Sequence, residues 1–295
     1  MDAIIDVGSN SVRLMLTDKK FEKRTQVTRL AEGLNSCGVL SEAAMERTLS
    51  VIKSYVEYSK QTHVHNIYIF ATEAMRAAKN SACFIERVFL NTGIKIDILS
   101  GNDEAMCGFL GAVSGQSNVS KTIGVIDIGG ASTEISIGKI GFKKELTYSK
   151  SLAIGTVRLR EMFGKDLQGL LEYIKKTIKA YGEIKADSFT GIGGTFTSIS
   201  SMLLGLKQYN SQAVDNSTIQ LEKLQKLTDE LWAKDDNQIY MSYPVIGAER
   251  AKVIRYGAVL AKSIMQMLGT NIISVSEKDN LEGYCILKKI PIIFN

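Results

Sequence analysis

The chain opens on an apolar run, Ala3-Ile4-Ile5, which passes through Asp6-Val7 into the polar turn Gly8-Ser9-Asn10 and then into Val12 to Leu16. That pattern predicts a short buried strand, a tight turn and a second strand. Met45, Leu49, Ile52 and Val56 recur every three or four positions, which predicts a helix over about 42–62 with Ser41 as its N-cap. A strand follows at 67–71, a helix at 81–91, a strand at 94–99 and a helix from Asp103 to about Val113. The polar stretch 115–121 reads as a domain boundary. Beyond it come paired strands over 122–137, a short strand running into a glycine turn at 189–195, and a strand at 272–276. Helices are predicted at 155–163, 167–184, 197–206, 221–233 and 248–268. Strands alternating with helices give an α/β class with mixed sheets.

The turns carry the chemistry. Asp6 ends a strand, and the Gly8-Ser9-Asn10-Ser11 tip offers backbone N–H groups and small hydroxyls of the kind that bind phosphate. A carboxylate beside a phosphate site makes sense with a divalent cation between them. The same grammar returns at Asp127-Ile128-Gly129-Gly130-Ala131-Ser132-Thr133-Glu134, where 127 − 6 = 121 residues separate the two aspartates. The repeat indicates two similar domains, each with one anion-cradling hairpin and one acid. Gly191-Ile192-Gly193-Gly194-Thr195 forms a third turn, leading into a helix whose first N–H groups would be free for an anion.

Composition narrows the field. A length of 295 residues suits two domains, and 45% apolar residues is ordinary for a globular chain. Lys and Arg number 36 against 31 Asp and Glu, a net charge of +5 that suits a polyanionic ligand without establishing a nucleic-acid binder. Cys37, Cys83, Cys107 and Cys285 form no CxxC pair; their wide spacing and the lack of a signal peptide favour reduced thiols in a cytoplasm. With His63 and His65 the only histidines, a Ser-His-Asp hydrolase or a histidine metal centre is disfavoured. The longest apolar runs are strand-sized, short of the roughly 20 residues a membrane helix needs.

Taken together, DVGSNSVRL at 6–14, ATEAMRAAKN at 71–80, GNDEAMCGFLGA at 101–112, DIGGASTEI at 127–135 and GIGGTFTS at 191–198 resemble the exopolyphosphatase / guanosine pentaphosphate phosphohydrolase (Ppx/GppA) family, within the actin, sugar-kinase and heat-shock-ATPase superfamily. The resemblance implies two ribonuclease-H-like domains, over 1–118 and 119–295, with mixed sheets flanked by helices and an active site in the interdomain cleft. It implies an Mg²⁺-dependent (or Mn²⁺-dependent) hydrolase releasing orthophosphate from inorganic polyphosphate or from the 5′ end of the guanosine alarmone pppGpp. It makes Glu104 the catalytic base, and matches Asp127 and Glu134 to acids near the metal and the scissile phosphate, with Asp6 as the first-domain metal carboxylate. Gly8, Ser9, Asn10 and Ser11 match the first phosphate loop, Gly129, Gly130, Ala131 and Ser132 the second, and Gly193, Gly194 and Thr195 the third. Arg76 matches an arginine that contacts phosphate. A cytoplasmic homodimer, with no nucleic-acid or membrane partner, is the accompanying expectation.

Glu104 also suits its task by position, since a helix start favours a charged carboxylate. Some positions depart from the family pattern. Ala131 replaces a glycine, which restricts φ; Lys252 stands in an aspartate's place, and Leu281-Glu282-Gly283 replaces Arg-Glu-Gly. The basic groups Lys19-Lys20-Lys23-Arg24, Lys143-Lys144, Lys175-Lys176 and Lys288-Lys289 read as solvated surface. Ile254, Ala258, Ala261, Met265 and Leu268 read as a core or dimer stripe, and Trp232 as packing. Two other functions fit the turns: a phosphotransferase or ATPase of the same superfamily, and a non-catalytic polyphosphate or alarmone sensor. Acceptor-stimulated ATP consumption would mark the first, and polyphosphate binding without orthophosphate release the second.

Overall fold

In the computed structural model, residues 1–18, 22–115, 121–140 and 144–292 are described. Lys19, Lys20, Lys143 and the expected boundary at 118/119 lie outside these residues. The chain divides into two compact units: Met1–Ser114 with Asn280–Asn295, and Gly115–Asp279.

The first unit is built on a sheet of order β3-β2-β1-β4-β5: β1 (Ala3–Val7), β2 (Ser11–Leu16), β3 (Lys23–Val27), β4 (Ile67–Ala71) and β5 (Ile96–Ile98). β1 is buried along its whole length, as a continuous apolar strand in the middle of a covered sheet must be. It pairs antiparallel with β2 and parallel with β4. Around the sheet run α1 (Leu34–Cys37), α2 (Glu42–Gln61), α3 (Glu73–Ala77), α4 (Ser81–Thr92) and α5 (Gly101–Ala112). Ser41 caps α2 as expected, its Oγ accepting from the Ala44 N–H at 3.2 Å, and the Met45-Leu49-Ile52-Val56 stripe is buried.

The second unit repeats the scheme. Its sheet runs β10-β11-β9-β6-β7-β8 through β6 (Lys121–Ile128), β7 (Thr133–Ile140), β8 (Lys144–Leu152), β9 (Ser188–Ile192), β10 (Thr218–Gln220) and β11 (Ile272–Val275). Read from β8, its pairings are antiparallel, antiparallel, parallel and parallel, the same succession as β3-β2-β1-β4-β5. Its helices are α6 (Thr156–Phe163), α7 (Leu167–Ile178), α8 (Gly193–Leu203), α9 (Ser211–Val214), α10 (Leu221–Trp232), α11 (Asp236–Ser242), α12 (Ala248–Ala251) and α13 (Ile254–Met267). The stripe Ile254, Ala258, Ala261 and Met265 lies in the core of this unit, with Leu268 packed against it. Trp232 meets Tyr256 edge-on at 5.6 Å.

The final helix, α14 (Asn280–Leu287), differs from the expected division. The resemblance implies a second domain over 119–295, but α14 belongs to the first unit. Leu281, Tyr284 and Cys285 join Ile4, Phe70 and Cys107 in one cluster, so burial of that apolar run sets the assignment. Lys23, expected on solvated surface, is ion-paired with the buried Glu282 at 2.7 Å. The cysteines form no disulfide; Cys37 and Cys83 are exposed and Cys107 and Cys285 buried. No helix among the described residues is long and apolar enough to cross a membrane.

Candidate active site

In the first unit, β4 ends at Ala71 and the chain turns through Thr72 into α3, which carries Glu73 and Arg76. Arg76 donates through Nη2 to Glu104 Oε2 (2.7 Å) and to Glu73 Oε2 (2.9 Å), and through Nη1 to the Leu99 carbonyl (2.6 Å). Glu104 sits in the first turn of α5, whose Ser100 cap accepts from the Asp103 N–H at 3.1 Å. The expected base and the expected phosphate-contacting arginine are thus one hydrogen-bonded pair. Glu104 is 7% exposed, and burial pushes its carboxyl up to about 7; Arg76 pulls it down, while the charges of Asp6 and Glu73 add to the rise. Burial therefore outweighs the charge-favouring effect expected of a helix start.

Asp6 lies opposite Arg13 in the β1–β2 register, and Arg13 Nε donates to its Oδ2 at 2.9 Å. One carboxylate oxygen of the expected metal ligand is therefore engaged by a cation. The Gly8–Ser11 turn closes with Gly8 N–H on the Ser11 carbonyl at 3.0 Å, and the Asn10 carbonyl accepts from Thr28 and Arg29.

The second unit repeats this hairpin: Gly129 N–H donates to the Ser132 carbonyl at 3.0 Å. Asp127 lies opposite Glu134, seven residues on, as Asp6 lies opposite Arg13. Glu134 is buried, and its Oε1 accepts from Ser151 Oγ at 2.6 Å. Ala131 is not among the described residues with positive φ, so replacing glycine there leaves the backbone unstrained. α6 docks on this turn: Thr156 and Val157 N–H groups donate to the Gly129 and Gly130 carbonyls at 2.9 and 2.8 Å. A Cβ on Gly155 would lie 2.6 Å from the Ala131 nitrogen. Gly155→Ala is accordingly expected to overpack the turn by about 1–3 kcal/mol, lowering Tm by roughly 3–10 °C. Thermal melts check this; an unchanged Tm would remove Gly155 from the account.

The third turn opens α8 directly, four residues before the predicted helix start at 197. Gly193 takes φ +74, a conformation that favours glycine, and a Cβ there would meet Asp127 Oδ1 at 2.6 Å. Ile192, the N-cap of α8, has no side chain that can cap the helix, so its first turn starts against the Asp127 carboxylate. Thr195 Oγ1 donates to the Ile128 carbonyl at 2.7 Å, so its hydroxyl fixes the helix to β6. The Arg250 guanidinium lies over Gly194, where any Cβ would displace it.

Four residues escaped sequence reasoning as site components: Arg13, Glu73, Gly155 and Arg250. A signal existed for Arg13, whose offset from Asp6 equals that of Glu134 from Asp127 (13 − 6 = 134 − 127 = 7). Nothing local marks the other three.

A profile of the Ppx/GppA phosphatase family matches residues 15–288. The bifunctional 3-dehydroquinate synthase/phosphatase of Fusobacterium nucleatum is 32% identical over 95% of this chain and 45% of its own length. Exopolyphosphatase 2 of Mycobacterium tuberculosis is 26% identical over 96% of this chain and 97% of its own. The guanosine-5′-triphosphate,3′-diphosphate pyrophosphatase of Aliivibrio fischeri is 27% identical over 97% and 58%. The chain thus spans about half the length of the first and third of these relatives and nearly all of the second. A crystal structure of the Aquifex aeolicus member of the Ppx/GppA family superposes with a TM-score of 0.79 at 26% identity, covering 98% of each chain.

Proposed function

We propose that this chain, which belongs to the Ppx/GppA phosphatase family, is a hydrolase that removes terminal phosphate from a phosphoanhydride chain, either inorganic polyphosphate or the 5′ end of pppGpp. The observation that carries the reading is Glu104: a buried carboxyl, pushed up to about 7 and held on an arginine fork. A base with that affinity for protons is half ionised near neutrality, where general-base catalysis is most effective. Glu104 takes a proton from water as the water oxygen bonds to the terminal phosphorus. The bond from that phosphorus to the bridging oxygen breaks, and orthophosphate leaves. Arg76 commits Nε and Nη2 to Glu73 and Glu104 and one Nη1 hydrogen to the Leu99 carbonyl, so its second Nη1–H is the donor it can offer the transferring group. In each unit the hairpin turn closes through the Gly8 or Gly129 N–H, and the other N–H groups of the tip are the donors it can offer a phosphate oxygen.

The donor set fits Mg²⁺ as a cofactor. Asp127 and Glu134 are hard oxygen ligands at facing register positions, and Mg²⁺ takes few carboxylates while keeping water and phosphate. Among the described residues no group of three or more His, Cys, Asp or Glu forms a metal cage. Asp6, engaged by Arg13, is the lesser candidate. Bound there, the ion would neutralise charge on the phosphate oxygens. A cytoplasmic homodimer accompanies this reading through the family resemblance, and sedimentation tests the oligomer.

The deciding experiment measures orthophosphate released from polyphosphates of graded length and from pppGpp, with Mg²⁺ and with EDTA. Release is expected on at least one substrate and is expected to fall at least 100-fold in EDTA. Binding without release would establish a sensor; phosphate transferred from ATP to an acceptor would establish a kinase.

A further inference from the structure

α14 touches the structures that hold Glu104 and Arg76. A Cβ on Gly283 would fall inside the van der Waals shell of the Cys107 carbonyl, so bare backbone meets bare backbone where α14 crosses α5. Cys107 lies one turn beyond Glu104 on that helix. At the next position, the Tyr284 ring stacks on Phe70 at 4.5 Å and 20°. Phe70 is the register partner of Asp6 and the penultimate residue of β4, which leads through Thr72 into the helix bearing Glu73 and Arg76. The Tyr284 hydroxyl donates to Asp97 Oδ2 at 3.1 Å, and Glu282 anchors the same helix to Lys23. Adjacent residues of α14 thus rest on both supports of the Arg76–Glu104 pair, one on α5 and one on β4.

We propose that Gly283 and Tyr284 are positioning residues for Glu104: together they set the distance between α5 and the end of β4, and so the geometry of the Glu104 carboxylate on the Arg76 fork. Any side chain at 283 drives the helices apart, and α5 moves with its first turn. This inference rests on the reading of Glu104 as the base, and it makes Gly283 and Tyr284 part of the machinery although they touch no substrate.

In the full chain, Gly283→Ala is expected to lower kcat for orthophosphate release by about 10–100-fold, the scale of a misplacement near 1 Å, with KM within about twofold. The ¹³C shift of the Glu104 carboxyl, assigned by its loss in Glu104→Gln, should move in the same variant. Glu282→Gln removes the Lys23 ion pair and is expected to lower Tm while kcat stays within about twofold. Equal kcat losses in Glu282→Gln and Gly283→Ala would reduce the effect to a loosened helix and overturn the proposal. So would a folded Gly283→Ala protein with wild-type kcat and an unmoved Glu104 resonance. If Gly283→Ala does not fold, Tyr284→Leu decides: a kcat loss of about fivefold or more at constant KM supports positioning, and an unchanged kcat refutes it. A wild-type protein that releases no orthophosphate sinks the functional reading; the Glu104 resonance still judges positioning by itself.

Discussion

Glu104→Gln is expected to lower kcat at pH 7.5 by 10²–10⁴-fold while polyphosphate affinity stays within about threefold. The amide keeps the shape of the side chain and cannot take the proton of the attacking water. Retention of more than about a tenth of the wild-type rate would remove Glu104 from the base role. The wild-type profile carries the same signature: kcat/KM should rise with pH through about 7 as the carboxyl ionises, then level off. Stability should move the opposite way. The folded carboxyl holds its proton up to about 7, against 4.5 as the ordinary value, so between these values the folded state binds the extra proton. Folding loses stability as pH rises through that window, by a maximum of about 3 kcal/mol at 1.4 kcal/mol per unit. The Glu104→Gln protein escapes this penalty. Its stability should match wild type below pH 4.5 and exceed it above pH 7 in urea titrations; parallel curves at all pH values would show that burial at Glu104 is not what raises its proton affinity.

That trade between activity and stability could not be read from the sequence, which supplies the helix start at Glu104 but not the packing that buries it. What was legible is local and repeated. Asp6-Val7-Gly8 and Asp127-Ile128-Gly129 set two identical turns because the apolar strand, the acid and the glycine all lie within a few residues of one another. The edge strands β3 and β8 were not legible. Lys23–Val27 has no buried residue and pairs with β2 for its backbone hydrogen bonds, so no apolar alternation marks it. The predicted helix over 248–268 is divided between α12 and α13 at Lys252 and Val253; nothing in the composition of that stretch announces the break. α14 was hidden for a different reason. Its residues from Asn280 to Cys285 are all buried, so the stripe that marks an amphipathic helix is missing. Its place in the first unit depends on contacts with residues such as Cys107 and Phe70 that are far away in the chain. Arg76 shows the limit for function: its phosphate role came from resemblance, whereas its grip on Glu104 and Glu73 is tertiary.

That grip makes Arg76→Ala the more informative substitution. The guanidinium is the group that holds the Glu104 carboxyl down against burial, so its removal should raise the proton affinity of Glu104 further. The rising limb of kcat/KM should therefore shift to higher pH. At pH 7 two losses combine: a base now mostly protonated, and a phosphate deprived of the cationic N–H donor beside it. A fall of at least 100-fold at pH 7 is expected, with partial recovery above pH 8.5 that Glu104→Gln cannot show. Arg76→Lys separates the two contributions. The ammonium keeps a positive charge near Glu104 and should keep the limb close to its wild-type position, but its three donors cannot serve Glu104, Glu73 and the Leu99 carbonyl and still reach a phosphate, so affinity should still drop. Binding is best measured in the Glu104→Gln background, where substrate survives; there, Arg76→Ala should weaken long polyphosphate more than short. A limb that stays in place in Arg76→Ala would mean that Arg76 does not set the ionisation of Glu104, and an unchanged affinity would mean that its fork never meets the substrate.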